Sequence, residues 1–338
     1  MPSNVIVGCS ATKLTASERA LFSELQPWGI ILFARNISSP AQVTALIEDC
    51  KKAMQRTQLM VFIDQEGGRV SRLPNTHWRI PPSPTVFATM FQQDAELAKR
   101  ACLLNAMLTG LELKALGINA NCAPMLDVPQ KNASSIISER ALGQNPQSVI
   151  ALGKQIVNGL KHVGVAPVIK HMPGHGRATS DSHLALVQVN ASVDDLQAWD
   201  FMPFNAFNNE AMAMTAHIVF QQIDPDLPAT VSPVVINTIV RDLIGFNGLI
   251  MTDDINMHAL SGTVSSRAQQ AFGAGCDIVL HCSGKLDEMA SLLPIASCIE
   301  GKTLQRTIAA QNIAFEEMSD ISAADIEKEL AHLMRTAS

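Results

Sequence analysis

The stretch KHMPGHGRATSDSH, residues 170–183, sets one lysine, three histidines and an aspartate within fourteen positions. Imidazoles crowded with a carboxylate serve either as metal ligands or as proton-transfer groups. His171 and His175 are four apart, the spacing that puts two zinc ligands on one helical face, but Pro173 and Gly174 stand between them and break a helix there. A loop-borne metal site built from His171, His175 and His183 stays open at this stage. Asp181-Ser182-His183 points to proton transfer instead. In an extended segment residues two apart face the same side with Cα atoms about 6.5 Å apart, so a carboxylate can accept the imidazole N–H and tune the ring as a base. Polar residues also crowd the ends of FIDQEGGR (62–69), NCAPMLD (121–127), MTAH (214–217) and MTDD (251–254). A lone Asp after a strand is usually a cap or turn residue. With VIKHMPGHG (168–176), five such ends in one chain are harder to read that way.

Residues so far apart in sequence act together only if regular elements converge on one mouth. Short apolar runs occur at 4–9, 29–33, 59–64, 118–123, 166–171, 211–217, 248–253 and 276–282. Amphipathic stretches lie between them, clearest at 40–54, 94–116, 146–163, 233–244 and 265–275, and the end of the chain, SDISAADIEKELAHLM, reads as a closing helix. Strands apolar on both faces that alternate with helices imply a parallel sheet wrapped by helices. Eight units match a TIM (β/α)8-type barrel, an α/β fold, although an open doubly wound sheet reads similarly. In the barrel the C-terminal strand ends ring one mouth and pool the polar residues named above. No Pro/Gly/Ser-rich linker divides the chain, so residues 1–338 are expected to form a single catalytic domain.

Composition narrows the partners. The 338 residues are 47% hydrophobic and 17% charged, enough apolar material for a large core. Twenty-five basic and 31 acidic side chains give a net charge of −6 without a polybasic run, so nucleic acid is not an expected partner. No run of 18 apolar residues occurs, which argues against a membrane span. IVGC near the N-terminus resembles the end of a lipoprotein signal, but no positive charge precedes it and VIV is too short; a buried first strand is expected there. Seven cysteines without a C-x-x-C pair suit reduced thiols in the cytoplasm.

The histidine loop resembles the KH-x-PGHG…DSH signature of the β-N-acetylglucosaminidases of glycoside hydrolase family 3, in particular the bacterial enzymes of peptidoglycan recycling. DQEGGRVSR (64–72), APMLDV (123–128), SERALG (138–143), MTAHIVF (214–220) and GFNGLIMTDDINM (245–257) resemble that family's other blocks in order and spacing. The likeness runs from GIILFARN (29–36) to AGCDIVLHC (274–282). It implies a retaining exo-β-N-acetylglucosaminidase that takes non-reducing GlcNAc from muropeptides, needs no cofactor or metal, and works as a monomer in the cytoplasm.

By the same resemblance Asp253 is the nucleophile, a choice over Asp254 that spacing alone leaves open. His183 is the general acid/base and Asp181 its partner. Asp64, Arg72, Arg140, Lys170 and His171 match positions that hold the terminal sugar. Met172, Thr215 and Thr252 stand where Phe, Pro and Ser are frequent in the family, beside the chemistry without removing it. The chain has no tyrosine, so a stacking platform for sugar must come from another side chain. A metal-dependent hydrolase and a non-catalytic sugar-binding barrel are the alternatives.

Overall fold

The computed structural model describes residues 1–130, 139–178, 186–316 and 321–336. Its strands are β1 (Ser3–Gly8), β2 (Pro27–Leu32), β3 (Met60–Ile63), β4 (Ala120–Asn121), β5 (Ala166–Pro167), β6 (Ile169–Met172), β7 (Val187–Val189), β8 (Met212–Thr215), β9 (Ile218–Phe220), β10 (Leu249–Met251) and β11 (Val279–His281). The pairings between them are parallel.

Most strand positions of the main sheet are apolar because both of its faces are buried. Val5, Val7, Ile30, Leu32, Val61, Ile63 and Ile250 pack outward with helix residues such as Phe22, Leu46 and Leu160. Their neighbours Ile6, Ile31, Met60, Phe62, Leu249 and Met251 pack on the other face, where Trp28 meets Phe62 with ring centroids 5.7 Å apart. This is the period-two alternation of a strand with both sides covered. Several helices begin at side-chain caps that take up orphan N–H groups of the first turn. Thr15 and Glu18 form a reciprocal capping box, while Ser39 and Asn145 cap helices whose first residues are Pro40 and Pro146.

The closed eight-stranded barrel expected from the sequence is not what these ladders form. Hydrogen-bonded strands fall into a six-stranded sheet in the order β11-β1-β2-β3-β4-β5, a three-stranded sheet β10-β8-β6 and a pair β7-β9. The breaks have local causes. β4 and β5 are two residues each, and Pro124, Pro167 and Pro173 have no N–H to give to a ladder. The run read as one strand at 166–171 therefore splits around Val168 into β5 and β6. At the opposite edge β10 meets the run before β11 through the isolated bridge Met251↔Ile278.

Two further differences concern local form. The stretch read as a helix at 233–244 is helical at Val235–Leu243 but in the wider π form, and the short parallel pair β7-β9 lies outside the strands read from the sequence. The closing helix is present at Ala323–Thr336. Among the described residues no helix is long and apolar enough to cross a membrane.

Candidate active site

A cleft of about 520 Å³ opens where the strands end, floored by Ile31, Met214 and Leu280. Asp64, Arg72, Arg140, Lys170, His171 and Asp253, singled out above, all line it. Asp181 and His183 lie outside the described residues.

The segment after β3 shows how neighbouring polar residues divide the work. Asp64 faces the cleft. Gln65 turns away: its Oε1 accepts the N–H groups of Arg72 at 2.8 Å and Leu73 at 3.3 Å, and its backbone exchanges hydrogen bonds with the Asn121 amide. The loop carrying Arg72 is thereby tied to the sheet. Gly67 makes the turn possible, with φ of 109° and an added Cβ placed 2.2 Å from the Pro82 carbonyl oxygen.

The charged side chains form an alternating chain. Arg72 bonds Asp64 at 3.2 Å, and Asp64 accepts from Lys170 Nζ at 2.8 Å. Lys170 also reaches Glu66 at 2.6 Å, and Glu66 holds Arg140 with two bonds, at 2.7 and 2.9 Å. A buried lysine is tolerable only with such partners. Burial alone would raise the carboxyls of Asp64 and Glu66, but the cations beside them win: Asp64 sits well below the usual range, and Glu66 is lowered to about 2. The two carboxylates in turn raise Lys170 and Arg140 against their burial.

Asp253 and Asp254 follow β10 but do different things. Asp254 accepts the N–H groups of Asn256 at 3.1 Å and Cys282 at 3.0 Å, a loop-building role, and burial pushes its carboxyl up. Asp253 takes only the Asp254 N–H, at 2.8 Å, among the hydrogen bonds of the described residues, so its Oδ2 is left to the cleft. Burial would raise Asp253 too, yet His171, His217, that N–H and Lys170 together hold it below the ordinary carboxylate range. His217 donates from Nε2 to the Asp254 carbonyl at 3.0 Å, and its Nδ1 meets Thr230 Oγ1 at 2.7 Å. Thr215 joins the same chain through a 2.7 Å contact with Thr230.

His171 and Lys170 are neighbours, yet both reach the cleft, where the β6–β8 register shifts between Ile169 and Met172. His171 Nδ1 donates to Asp127 Oδ2 at 2.7 Å, while its Nε2 lies 3.9 Å from Asp253 Oδ2. No helix forms through Pro173 and Gly174, and Gly176 packs against the backbone beside Asp127. A Cβ there would sit 1.9 Å from the Val128 carbonyl oxygen. Gly176→Ala must push these segments apart. It is expected to lower kcat/KM by about 10²-fold and stability by about 1–3 kcal/mol, read by kinetics and urea unfolding. Unchanged kinetics would show that this contact does not position the site.

Glu66 and Asp127 are not marked out by spacing along the sequence. Both stand in DQEGGR and APMLDV as carboxylates at the ends of apolar runs, the signal that points to them. Among the described residues no group of three His, Cys, Asp or Glu side chains is arranged to hold a metal ion.

Residues 5–326 match the glycosyl hydrolase family 3 N terminal domain. The chain belongs to glycosyl hydrolase family 3. This glycoside hydrolase is 37% identical over 283 residues to a β-hexosaminidase of Alkalilimnicola ehrlichii, covering 82% of this chain and 80% of that protein. NagZ from Neisseria gonorrhoeae, solved in complex with N-trifluoroacetyl-D-glucosamine, superposes with a TM-score of 0.86 at 30% identity, covering 100% of this chain and 98% of that one. A family 3 β-N-acetylglucosaminidase from Paenibacillus sp. str. FPU-7 gives a TM-score of 0.83 at 30% identity over 98% of this family 3 hydrolase and 66% of the Paenibacillus chain.

Proposed function

We propose that this family 3 glycoside hydrolase is a retaining exo-β-N-acetylglucosaminidase that removes non-reducing terminal GlcNAc from muropeptides during peptidoglycan recycling in the cytoplasm. The observation that carries the reading is Asp253, a carboxylate held anionic at the floor of a polar cleft with one oxygen left toward the cavity. The β-hexosaminidase relatives and the glucosamine derivative bound to the gonococcal neighbour support the sugar class.

In this mechanism Asp253 Oδ2 attacks the anomeric carbon as the bond to the leaving oxygen breaks, and protonated His183 gives that oxygen its proton. Neutral His183, oriented by Asp181, then takes a proton from water. The water oxygen bonds the anomeric carbon and the Asp253 ester breaks, so two inversions give net retention. Asp64, Arg72, Lys170, Arg140 and His171 grip the hydroxyl and acetamido groups, for which paired carboxylates and forked guanidinium groups are suited. The enzyme is proposed to act as a monomer.

The test compares an aryl β-GlcNAc glycoside with the aryl β-glucoside. Preferential release from the GlcNAc substrate, with the β-anomer formed first by NMR, is expected. Activity is expected to survive exhaustive EDTA treatment, because every step uses protein carboxylates and imidazoles. Loss that zinc restores would replace this mechanism with metal-assisted hydrolysis, and binding without turnover would leave only a sugar-binding protein.

A further inference from the structure

Asp127 is fully buried and lies behind the cleft rather than on its lining. The chain around it pairs with the strand that carries Lys170 and His171: Lys170 N–H donates to the Pro124 carbonyl at 3.1 Å and Leu126 N–H to the Lys170 carbonyl at 2.6 Å. That pairing brings Asp127 beside His171, 44 positions away in sequence. Its Oδ2 takes the His171 Nδ1–H at 2.7 Å, and its Oδ1 takes the backbone N–H groups of His175 at 2.7 Å and His171 at 3.3 Å. Burial works against an ionised carboxyl here, but the charge that His171 carries when protonated, its hydrogen bond and the His175 N–H outweigh it, and Asp127 is held below the ordinary range.

We infer that Asp127 is a positioning residue for the glycosidase reaction: by accepting the His171 Nδ1–H it sets the tautomer of the uncharged ring, so that in this form a lone pair on Nε2, not an N–H, faces Asp253 and the sugar. The inference rests on the function proposed above. An ionised carboxylate only accepts, so the single hydrogen of a neutral imidazole bonded to it must be on Nδ1. Nε2 is then an acceptor. Its 3.9 Å separation from Asp253 Oδ2 is too long for a hydrogen bond, as befits two acceptors facing each other. Two consequences follow for the reaction. Asp253 Oδ2 keeps its lone pairs for the anomeric carbon, because no neutral N–H competes for them. His171 Nε2 accepts a hydrogen bond from a hydroxyl of the bound sugar, complementing the donors Lys170, Arg72 and Arg140. Among the described residues the charged and titratable groups near the ring include Asp127, Asp253, His217 and His175, whose ring centroid lies 5.5 Å from that of His171.

Asp127→Asn tests this with little change of shape. The Asn carbonyl oxygen still accepts the two backbone N–H groups, but its NH₂ now donates to His171 Nδ1 and moves the ring hydrogen to Nε2, where it bonds the nucleophile. With an aryl β-GlcNAc glycoside, kcat/KM should fall about 10²-fold, mostly in kcat, with a melting temperature near that of the wild type. In a His171→Ala background the same change should alter kcat/KM by no more than about 2-fold, since the residue acts through the ring. An equal loss in both backgrounds would mean that Asp127 only braces the backbone, and would overturn the inference.

Nitrogen-15 NMR of the histidine rings, recorded at rising pH until the signals stop shifting, reads the tautomer without any turnover. Nδ1–H in the wild type and Nε2–H in Asp127→Asn support the inference; one tautomer in both, or Nε2–H in the wild type, overturns it. A wild type that fails to hydrolyse the GlcNAc glycoside refutes the functional reading, whereas an active wild type with an unchanged Asp127→Asn variant refutes this inference alone.

Discussion

Replacing Asp253 with alanine is expected to reduce turnover of an aryl β-GlcNAc glycoside by on the order of 10⁴- to 10⁶-fold, as loss of a nucleophile does elsewhere. The fold should be little affected, by about 1 kcal/mol or less, because among the described residues the only hydrogen bond to this carboxylate comes from the next residue's own N–H. In the wild type a fluorinated substrate that is attacked but released slowly should leave its sugar esterified to Asp253. Asp254 is the competing candidate, and its geometry argues against it: one of its oxygens already accepts two backbone N–H groups and builds the loop toward Cys282. Peptide mapping that found the sugar on Asp254 would reverse the assignment. The pH profile offers a second check. The folded-state carboxyl of Asp253 lies below the ordinary value, so the active anion persists as pH falls through about 4, and the acid limb assigned to it must lie lower still.

Glu66→Gln should be the most destabilising change at the site, by about 3–5 kcal/mol, because it leaves Arg140 and Lys170 buried without the carboxylate between them. The glutamine keeps the volume, so the loss is electrostatic. Its sign with pH can be worked out. Glu66 is lowered from 4.5 to about 2 in the folded protein, so its contribution is fully present above about pH 4.5 and disappears as pH falls through about 2. Urea unfolding of wild type and variant should therefore differ most near neutral pH and converge in acid, where Glu66 becomes an uncharged acid much like glutamine. A difference that held constant between pH 7 and pH 3 would falsify this account. Catalysis should suffer as well, mainly through KM, as the released Arg140 and Lys170 lose the directions that aim them at the sugar.

The strand starts were legible because burial on both faces leaves an unbroken apolar run: residues 4–9 were read for Ser3–Gly8 and 248–253 for Leu249–Met251. Closure into a barrel was not legible. It depends on how many residues of each strand exchange hydrogen bonds, and Pro124, Pro167 and Pro173 cut the ladders where an apolar pattern runs on. The cleft residues Asp64, Lys170 and Asp253 stood out as charges at the ends of apolar runs. Glu66 did not, because a glutamate ahead of two glycines looks like a turn residue, and its task is to hold other side chains. Asp127 was hidden for a related reason: its partner His171 lies on β6, 44 positions away, and no spacing along the chain encodes that meeting. Spacing alone did not separate Asp253 from Asp254; the resemblance chose Asp253, and the two backbone N–H groups on Asp254 give that residue a loop-building task.

The bridge from Asp64 to Lys170 joins a residue that follows β3, in the six-stranded sheet, to one on β6, in the three-stranded sheet. Any sugar gripped by both spans the seam between them. Thermodynamic linkage then makes the ligand a staple: opening either sheet destroys the grip, so each increment of binding free energy opposes both openings at once. At a free sugar concentration 100 times its dissociation constant that opposition amounts to about 2.7 kcal/mol. Resistance of this fold to partial opening, and to the proteolysis that follows it, is therefore set in part by how much substrate or product surrounds it.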